Sequence, residues 1–260
     1  MPNYIMKKII TLFSLICSIF TFSQITKNYN VDGISRKAII YNSDKKSGKL
    51  PVVFVFHGHG GNADFASKRI NIQDYYKDAV VIFMEGLPGR KVPGIDPNGT
   101  MNGWQIFTDD LERRDVKFFD KVFTEIHADF KIDDSKIYLV GHSNGARFVN
   151  VLWKERGDKI TAICSASAQG GNLISGAIPI SVWMYMGKND RIVSFDSQKN
   201  SVPIVKANLG ITTDGKIDHD KTIFEGKNQT ELVLQQSNAG HEFPKQSLPE
   251  IVAFFKRHSK

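Results

Sequence analysis

A serine in a glycine-flanked pentapeptide is the strongest chemical signal in the chain. Residues 141–145 read Gly-His-Ser-Asn-Gly, which matches the pattern Gly-X-Ser-X-Gly. The pentapeptide follows an apolar strand predicted for residues 136–140 and precedes a helix predicted for residues 146–156. Glycines on either side of such a strand-to-helix turn let the neighbouring backbone pack closely while the serine stays exposed. The pattern therefore predicts that Ser143 is a nucleophile rather than part of a purely structural turn.

A serine hydroxyl needs a base that takes its proton, and the chain has seven histidines. His241 lies between a strand predicted at residues 231–235 and the last helix, so it can reach over the carboxyl edge of the sheet. His142 adjoins the serine but should point away from it in this kind of turn. We therefore expect His241 to be the general base.

An acid that orients this histidine should lie between the serine and the histidine in the chain. Asp190 lies in the segment 187–193, which follows a strand predicted at residues 180–186. The rival is Asp196, which we expect to cap the following helix, and an ordinary turn aspartate is the structural alternative. The sequence favours Asp190, whose carboxylate would hold the imidazole tautomer and stabilise the imidazolium.

A glycine-rich loop predicts hydrogen-bond donors for a developing oxyanion. Residues 57–62 read His-Gly-His-Gly-Gly-Asn, directly after a buried strand predicted at residues 51–56. Such a loop lets backbone N–H groups approach a substrate oxygen. We expect the N–H groups of Asn144 and His59 to be the donors, with Gly60 as the alternate to His59. A flexible turn is the alternative, and a phosphate cradle is disfavoured because no Gly-Lys-Ser/Thr follows.

Three further residues are candidates for a substrate pocket. Trp104 lies in a loop-rich stretch, so it either lines the pocket or plugs the edge of the core. Glu85 follows a predicted strand and could border the same pocket, and His142 adjoins the nucleophile. We expect neither a metal nor an organic cofactor, because the histidines lack ligand spacing with acidic partners.

Strands and helices that could position these residues alternate along the chain. Continuous apolar runs are typical of strands covered on both faces, as in a parallel sheet. They occupy residues 37–41, 51–57, 79–84, 136–140, 160–166 and 180–186. Helical periodicity marks residues 115–130, and a capping-box spacing from Ser247 to Glu250 predicts a C-terminal helix. Residues 86–103 and 208–220 are predicted to be long loops. The alternation predicts a single α/β domain over residues 24–260, with a doubly wound, mostly parallel sheet and helices on both faces.

The first 23 residues differ in composition from the rest. Lys7 and Lys8 precede a mostly apolar run of 14 residues, and small residues precede Gln24. This layout is typical of a cleaved secretory signal peptide, since a spanning helix needs about 20 residues. A lipoprotein anchor on Cys17 and a buried N-terminal element are the alternatives. We therefore expect a secreted or periplasmic protein with no stable membrane span in the mature chain.

The composition narrows the class of partner. The 260 residues carry 34 Lys and Arg against 27 Asp and Glu, a formal net charge of +7. Because no run of five basic residues occurs, we do not expect nucleic-acid binding. Two cysteines cannot build a disulfide framework, and Cys164 lies in an apolar run that predicts a core position.

Together these motifs resemble the α/β-hydrolase superfamily over nearly the whole of residues 24–260. Within it, the chain is similar to the exported serine esterases that include feruloyl esterases and polyhydroxybutyrate depolymerases. The resemblance rests on the pentapeptide at 141–145 and on segments 57–61, 103–105, 115–118, 187–193 and 240–244. It implies cleavage of feruloyl-type, acetyl-type or hydroxyalkanoate esters, either small or polymer-linked, through an acyl-enzyme. A peptide- or lactone-cleaving enzyme and a non-catalytic binding protein on the same scaffold are the alternatives.

Overall fold

The computed structural model describes residues 24–45 and 47–260. The predicted signal peptide at residues 1–23 and the alternative anchor at Cys17 therefore lie outside the described residues. The strands are β1 (Gln24–Val31), β2 (Ile34–Tyr41), β3 (Leu50–Phe56), β4 (Val80–Met84), β5 (Ile132–His142), β6 (Ala162–Ala166), β7 (Ser181–Gly187), β8 (Lys216–Asp218), β9 (Lys221–Glu225) and β10 (Glu231–Ser237). Within the described residues they form one sheet in the order β1-β2-β4-β3-β5-β6-β7-β10-β9-β8.

The central strands of this sheet are parallel. Every pairing from β4 through β3, β5, β6 and β7 to β10 is parallel. Antiparallel pairings add β2 and β1 at one edge and β9 and β8 at the other. Strands β4, β6 and β7 are buried along their whole length, which is why continuous rather than alternating apolar runs mark them in the sequence. The predicted mostly parallel sheet is confirmed.

Helices cover both faces of the sheet. They are α1 (Ala63–Arg69), α2 (Arg114–Asp129), α3 (Asn144–Arg156), α4 (Phe195–Lys199), α5 (Val202–Leu209) and α6 (Leu248–Lys256). The apolar residues of α2, α3 and α5 pack in the core that contains Phe54 and Phe56 of β3. Those of α1 and α6 pack in the other core, with Val53 and Val55. Successive residues of a strand point to opposite faces, so one strand supplies both cores.

Several local predictions were wrong. Ser247 precedes α6, but its Oγ accepts a hydrogen bond from Gln235 Nε2 at 2.7 Å and makes no cap bond. A contact with a neighbouring strand therefore replaces the predicted local capping box. Helix α4 is capped by Ser194, whose Oγ accepts from the Ser197 N–H at 3.3 Å, and not by Asp196.

The remaining differences concern short or edge elements. Strand β1 was not predicted, and β8 forms within the segment 208–220 that was predicted to be a loop. Cys164 is fully buried in β6, as predicted for a core residue. No helix in the described part of the chain is long and apolar enough to cross a membrane.

Candidate active site

Ser143 lies in the sharp turn between β5 and α3. Its φ of 54° and ψ of −121° put it in a strained backbone conformation, as is common at functional positions. The Ser143 N–H donates to the Ala166 carbonyl oxygen at 2.9 Å, which ties the turn to β6. A Cβ atom on Gly145 would clash with the Phe56 carbonyl oxygen, and one on Gly141 would lie 2.6 Å from the backbone of α3. The turn therefore requires both flanking glycines.

His241 joins the serine to the aspartate. Its Nε2 lies 2.7 Å from Ser143 Oγ, and its Nδ1 lies 2.8 Å from Asp190 Oδ2. With its proton on Nδ1, the ring donates to the carboxylate and accepts from the hydroxyl. The serine and the aspartate are 98 and 51 positions from the histidine in the chain. The structure thus brings together all three residues that the sequence selected.

The carboxylate of Asp190 is fully buried and held by four hydrogen bonds. Its Oδ1 accepts from the backbone N–H groups of Ile192 at 2.8 Å and Val193 at 2.9 Å. Its Oδ2 accepts from Gln198 Nε2 at 3.0 Å, in addition to the histidine. Because every contact presents a donor, the carboxylate is fixed where it can stabilise a positive imidazolium. The rival acid, Asp196, is exposed on α4.

The loop after β3 lies beside Ser143. His59 and Gly60 line a cavity that also contains the serine. The Gly60 N–H donates to the Asn102 carbonyl oxygen at 2.7 Å, so the alternate oxyanion donor is already engaged. The His59 N–H has no hydrogen-bond partner within the described residues. Asn144 is the first residue of α3, where N–H groups have no acceptor within the helix. This geometry favours His59 over Gly60 as the donor next to Asn144.

His57 ties this loop to the neighbouring strand. Its Nδ1 donates to the Gly58 carbonyl oxygen at 2.7 Å, and its Nε2 accepts from the Gly86 N–H at 2.9 Å. Burial lowers the pKa of His57 to about 4. The ring is therefore neutral near pH 7, which the hydrogen bond from Gly86 requires.

His142 faces the same cavity as the serine and the general base. Its ring centroid lies 5.2 Å from that of His241. Burial, followed by the nearby His241, lowers the pKa of His142 to about 4. His142 thus lines a cavity beside Ser143 and is neutral at neutral pH.

Trp104 lies in the core. Two cavities meet at Ser143, and Trp104 lines neither of them. It is fully buried, and its indole stacks on Phe148 with ring centroids 5.3 Å apart. The backbone N–H of Trp104 donates to Asn144 Oδ1 at 2.7 Å, and its backbone carbonyl oxygen accepts from Asn144 Nδ2 at 3.1 Å. Of the two alternatives, the structure therefore supports a position in the core, where Trp104 fixes Asn144, the first residue of α3, by hydrogen bonds.

Glu85 also lies outside both cavities, which corrects the expectation that it borders the substrate. Its Oε2 lies 2.9 Å from Lys37 Nζ and accepts from the Ala63 N–H at 3.1 Å. Glu85 therefore joins the start of α1 to β2, the second strand of the sheet.

Sequence analysis missed two residues that hold the others in place. Gln198 fixes Asp190, as described above. Asp96 Oδ2 lies 3.1 Å from His59 Nε2 and also accepts from the Met101 N–H at 3.0 Å. Neither residue belongs to a recognisable sequence motif. The only sequence signal for either residue was a polar side chain shortly after a predicted turn. No group of three or more metal-ligating side chains occurs in residues 24–45 and 47–260.

Two cavities meet at Ser143. The first, which we call the apolar cavity, has a volume of about 450 Å³ and contains His241 and the loop after β3. Three exposed apolar side chains line it, namely Phe65, Ile95 and Ile192, and the two isoleucines also line the second cavity. The second, which we call the basic cavity, has a volume of about 550 Å³. Its cationic side chains are Arg90, Lys91, Arg147 and Arg191.

Comparison with known proteins gives distant curated relatives. No family model matches the chain. A protein of Aspergillus niger named "Probable feruloyl esterase C" is 28% identical over 152 residues, which cover 56% of this chain and 50% of that protein. One of Aspergillus clavatus with the same name is 27% identical over 191 residues, which cover 67% of this chain and 64% of that protein. The chain thus spans from half to just under two thirds of the length of these relatives.

Solved structures match over most of the chain. An acetyl xylan esterase from Aspergillus awamori superimposes with a TM-score of 0.67 at 12% identity, over 90% of this chain and 98% of that one. A ferulic acid esterase gives 0.64 at 12% identity, over 90% and 97%. A Bacillus cereus carboxylesterase gives 0.58 at 18% identity, over 85% and 94%. These matches confirm the α/β-hydrolase fold.

Proposed function

We propose that this chain, which has the α/β-hydrolase fold, is a serine hydrolase of carboxylic esters. The unbroken hydrogen-bond chain from Asp190 through His241 to Ser143 carries the proposal, because those three groups can activate a hydroxyl. The similarity to the two proteins named as feruloyl esterases supports esters as the substrate class.

The first half of the reaction transfers the acyl group to the enzyme. Ser143 Oγ attacks the ester carbonyl carbon while His241 Nε2 takes the hydroxyl proton, and Asp190 stabilises the resulting imidazolium. The carbonyl oxygen becomes an oxyanion, which the N–H groups of His59 and Asn144 stabilise. The bond from carbon to the alcohol oxygen then breaks, and the imidazolium gives its proton to the departing alkoxide.

The second half releases the acid. A water molecule replaces the alcohol beside His241, and Nε2 takes one of its protons as the water oxygen attacks the acyl carbon. The same two N–H groups stabilise the second oxyanion. The bond between carbon and Ser143 Oγ breaks, and the imidazolium returns a proton to the serine.

The apolar cavity suits an aromatic or alkyl portion of the ester. Phe65, Ile95 and Ile192 are 57%, 53% and 60% exposed at its rim, which leaves apolar surface for a substrate to cover. Feruloyl-type and acetyl-type esters agree with the names of the relatives, and hydroxyalkanoate esters are the other class we propose.

We also propose that the protein is exported. Residues 1–23 have the composition of a signal peptide, and cleavage before Gln24 would remove them. The ester would then lie outside the cytoplasm, either free or linked to a polysaccharide or polyester.

Rates of hydrolysis of 4-nitrophenyl acetate and methyl ferulate test this proposal. We expect turnover by the wild type and none by Ser143→Ala, while the control Ser175→Ala, an exposed serine outside both cavities, keeps wild-type rates. A fluorophosphonate probe should label the wild type and the control but not Ser143→Ala. A folded wild type that neither hydrolyses these esters nor reacts with the probe would contradict the proposal and support a binding protein.

A further inference from the structure

The basic cavity holds an excess of positive charge next to the nucleophile. Arg90, Lys91, Arg147 and Arg191 all line it together with Ser143. No aspartate or glutamate from the described part of the chain lines it. A neutral feruloyl or acetyl group has no need of such surroundings.

Most of this charge is not neutralised by the protein. Arg90 lies 2.5 Å from Asp110 Oδ2 and is paired. Lys91, Arg147 and Arg191 have no ion pair with any described residue. Three positive charges therefore remain available to a ligand.

Two carboxylates of the candidate site are engaged elsewhere. Asp190 is buried and binds His241. Asp96 is 3% exposed and binds His59 together with the backbone of residues 100 and 101. These carboxylates therefore do not compensate the cations of the basic cavity.

Arg147 is the best placed of the three free cations. It lies one helical turn after Ser143 on α3, and its backbone N–H donates to the Ser143 carbonyl oxygen at 3.0 Å. Its side chain is half-buried, and burial, followed by the charge of Arg90, lowers its pKa. Asp110, which pairs with Arg90, offsets part of this effect but makes no ion pair with Arg147. An arginine stays charged in proteins, and a partly desolvated guanidinium without an ion-pair partner is stabilised when an anion binds it.

The positive charge is local and does not simply follow from the net charge of the chain. A third cavity, of about 330 Å³, contains Arg36, Arg114 and Lys117. Asp32 and Glu112 also line it, so both signs of charge are present. The basic cavity is the one in which cations face Ser143 without acids.

The position of His241 indicates which part of an ester enters the basic cavity. The departing alkoxide must receive its proton from His241 Nε2, and His241 lines the apolar cavity but not the basic one. Of the two expected oxyanion donors, Asn144 lines only the basic cavity, whereas His59 lines both. The alcohol portion therefore extends into the apolar cavity and the acyl portion into the basic cavity.

We propose that the preferred substrates are esters whose acyl group ends in a carboxylate, that is, half-esters of dicarboxylic acids. Arg147 binds the distal carboxylate, with Arg191 and Lys91 beside it, because a guanidinium and a carboxylate match in charge and geometry. This inference rests on the proposed ester hydrolysis and adds the chemical class of the acyl group.

A pair of matched substrates tests the inference. 4-Nitrobenzyl hemiglutarate and 4-nitrobenzyl glutaramate differ only in a terminal carboxylate or amide. We expect kcat/KM to favour the hemiglutarate at least tenfold at low ionic strength and less in 0.5 M salt, because salt screens a partly exposed ion pair. In Arg147→Gln the ratio of the two kcat/KM values should fall about ten- to a hundredfold, the range for a charged hydrogen bond. The control Lys49→Gln removes one exposed cation just before the amino end of β3, whereas Ser143 follows the carboxyl end of the neighbouring β5, and it should leave both rates unchanged.

Binding of glutarate to the inactive Ser143→Ala protein, measured by calorimetry, separates this inference from the proposed function. Binding that is lost in the Ser143→Ala/Arg147→Gln double variant supports the anion site. If the wild type nevertheless turns over no ester, the proposed hydrolysis is wrong while the anion site stands. An unchanged substrate ratio in Arg147→Gln overturns the anion site while ester hydrolysis stands. A preference for 4-acetoxybenzoate over 4-acetoxybenzamide, without one for the hemiglutarate, overturns the assignment to the acyl side.

Discussion

Replacement of Asp190 with asparagine should invert the hydrogen bonds around His241. Asp190 Oδ1 accepts two hydrogen bonds, from the N–H groups of Ile192 and Val193. The amide oxygen of an asparagine must take that position, so its NH₂ group faces His241 Nδ1 and donates to it. The ring proton then moves to Nε2, the atom that lies 2.7 Å from Ser143 Oγ. In this tautomer the ring cannot accept the serine proton.

The wrong tautomer in a Ser-His-Asp enzyme lowers kcat about 10⁴-fold, and we expect a loss of that order here. KM should change little, because Asp190 lines neither cavity at Ser143. The NH₂ group of the asparagine would also face the Gln198 Nε2 donor, which now lies 3.0 Å from Oδ2. This buried mismatch of donors should lower the free energy of unfolding by about 1–3 kcal/mol.

The assay is the initial rate of 4-nitrophenyl acetate hydrolysis, with kcat and KM determined separately and urea unfolding as the measure of stability. Asp196→Asn is the matched control, since it makes the same change on the exposed surface of α4. We expect it to stay within about twofold of the wild type, as surface changes usually do. A kcat for Asp190→Asn within tenfold of the wild type would refute this reasoning, and a large loss in Asp196→Asn would instead identify the rival acid.

Two further predictions concern stability. Gly145→Ala should be insoluble or destabilised by about 3 kcal/mol or more, because the new Cβ would overlap the Phe56 carbonyl oxygen. The control Gly240→Ala should keep the wild-type Tm, because the atom nearest to its new Cβ is 3.9 Å away. Equal Tm values for the two variants would contradict the requirement for glycine at position 145. Burial alone would raise the pKa of Glu231, but hydrogen bonds from His258 and Arg257 outweigh it and lower the pKa from 4.5 to about 2. A carboxylate whose pKa is lowered in the folded state stabilises the fold above about pH 4.5, and this stabilisation is lost as the pH falls towards 2. The Tm difference between the wild type and Glu231→Gln should therefore shrink over that pH range. A constant difference would show that the ion pairs of Glu231 are not responsible.

Burial on both faces made the central strands predictable. Residues 160–166 read as a continuous apolar run, and β6 is buried along its length. Strand β1 lies at an edge and is mostly exposed, so its sequence mixes polar and apolar residues without a clear pattern. Strand β8 has only three residues. Strand β1 buries only Tyr29 and Val31 and β8 buries no residue, so side-chain burial marks little of either strand in the sequence.

The chemistry of a residue and its place directly after a strand made part of the candidate site predictable. Ser143 satisfies both conditions, and His241 lies in the short loop that follows β10. Gln198 does not satisfy them, because its contact with Asp190 depends on how α4 turns back after β7. Trp104 shows a second limit, since the sequence supports a pocket wall and a core plug equally. Only the packing against Phe148 decides between them.

The order of the strands explains why His241 can reach Ser143 at all. Strands β5, β6, β7 and β10 are neighbours and parallel, so the serine and histidine strands are three spacings apart, or about 14 Å. His241 comes four residues after the end of β10, and four extended residues span at most about 14 Å. The loop passes over the end of β7, where the Asn189 N–H donates to the Ala239 carbonyl oxygen at 3.0 Å. A Cβ on Gly187 would clash with the Gly240 carbonyl oxygen, so the glycine that ends β7 is the residue that leaves this path open.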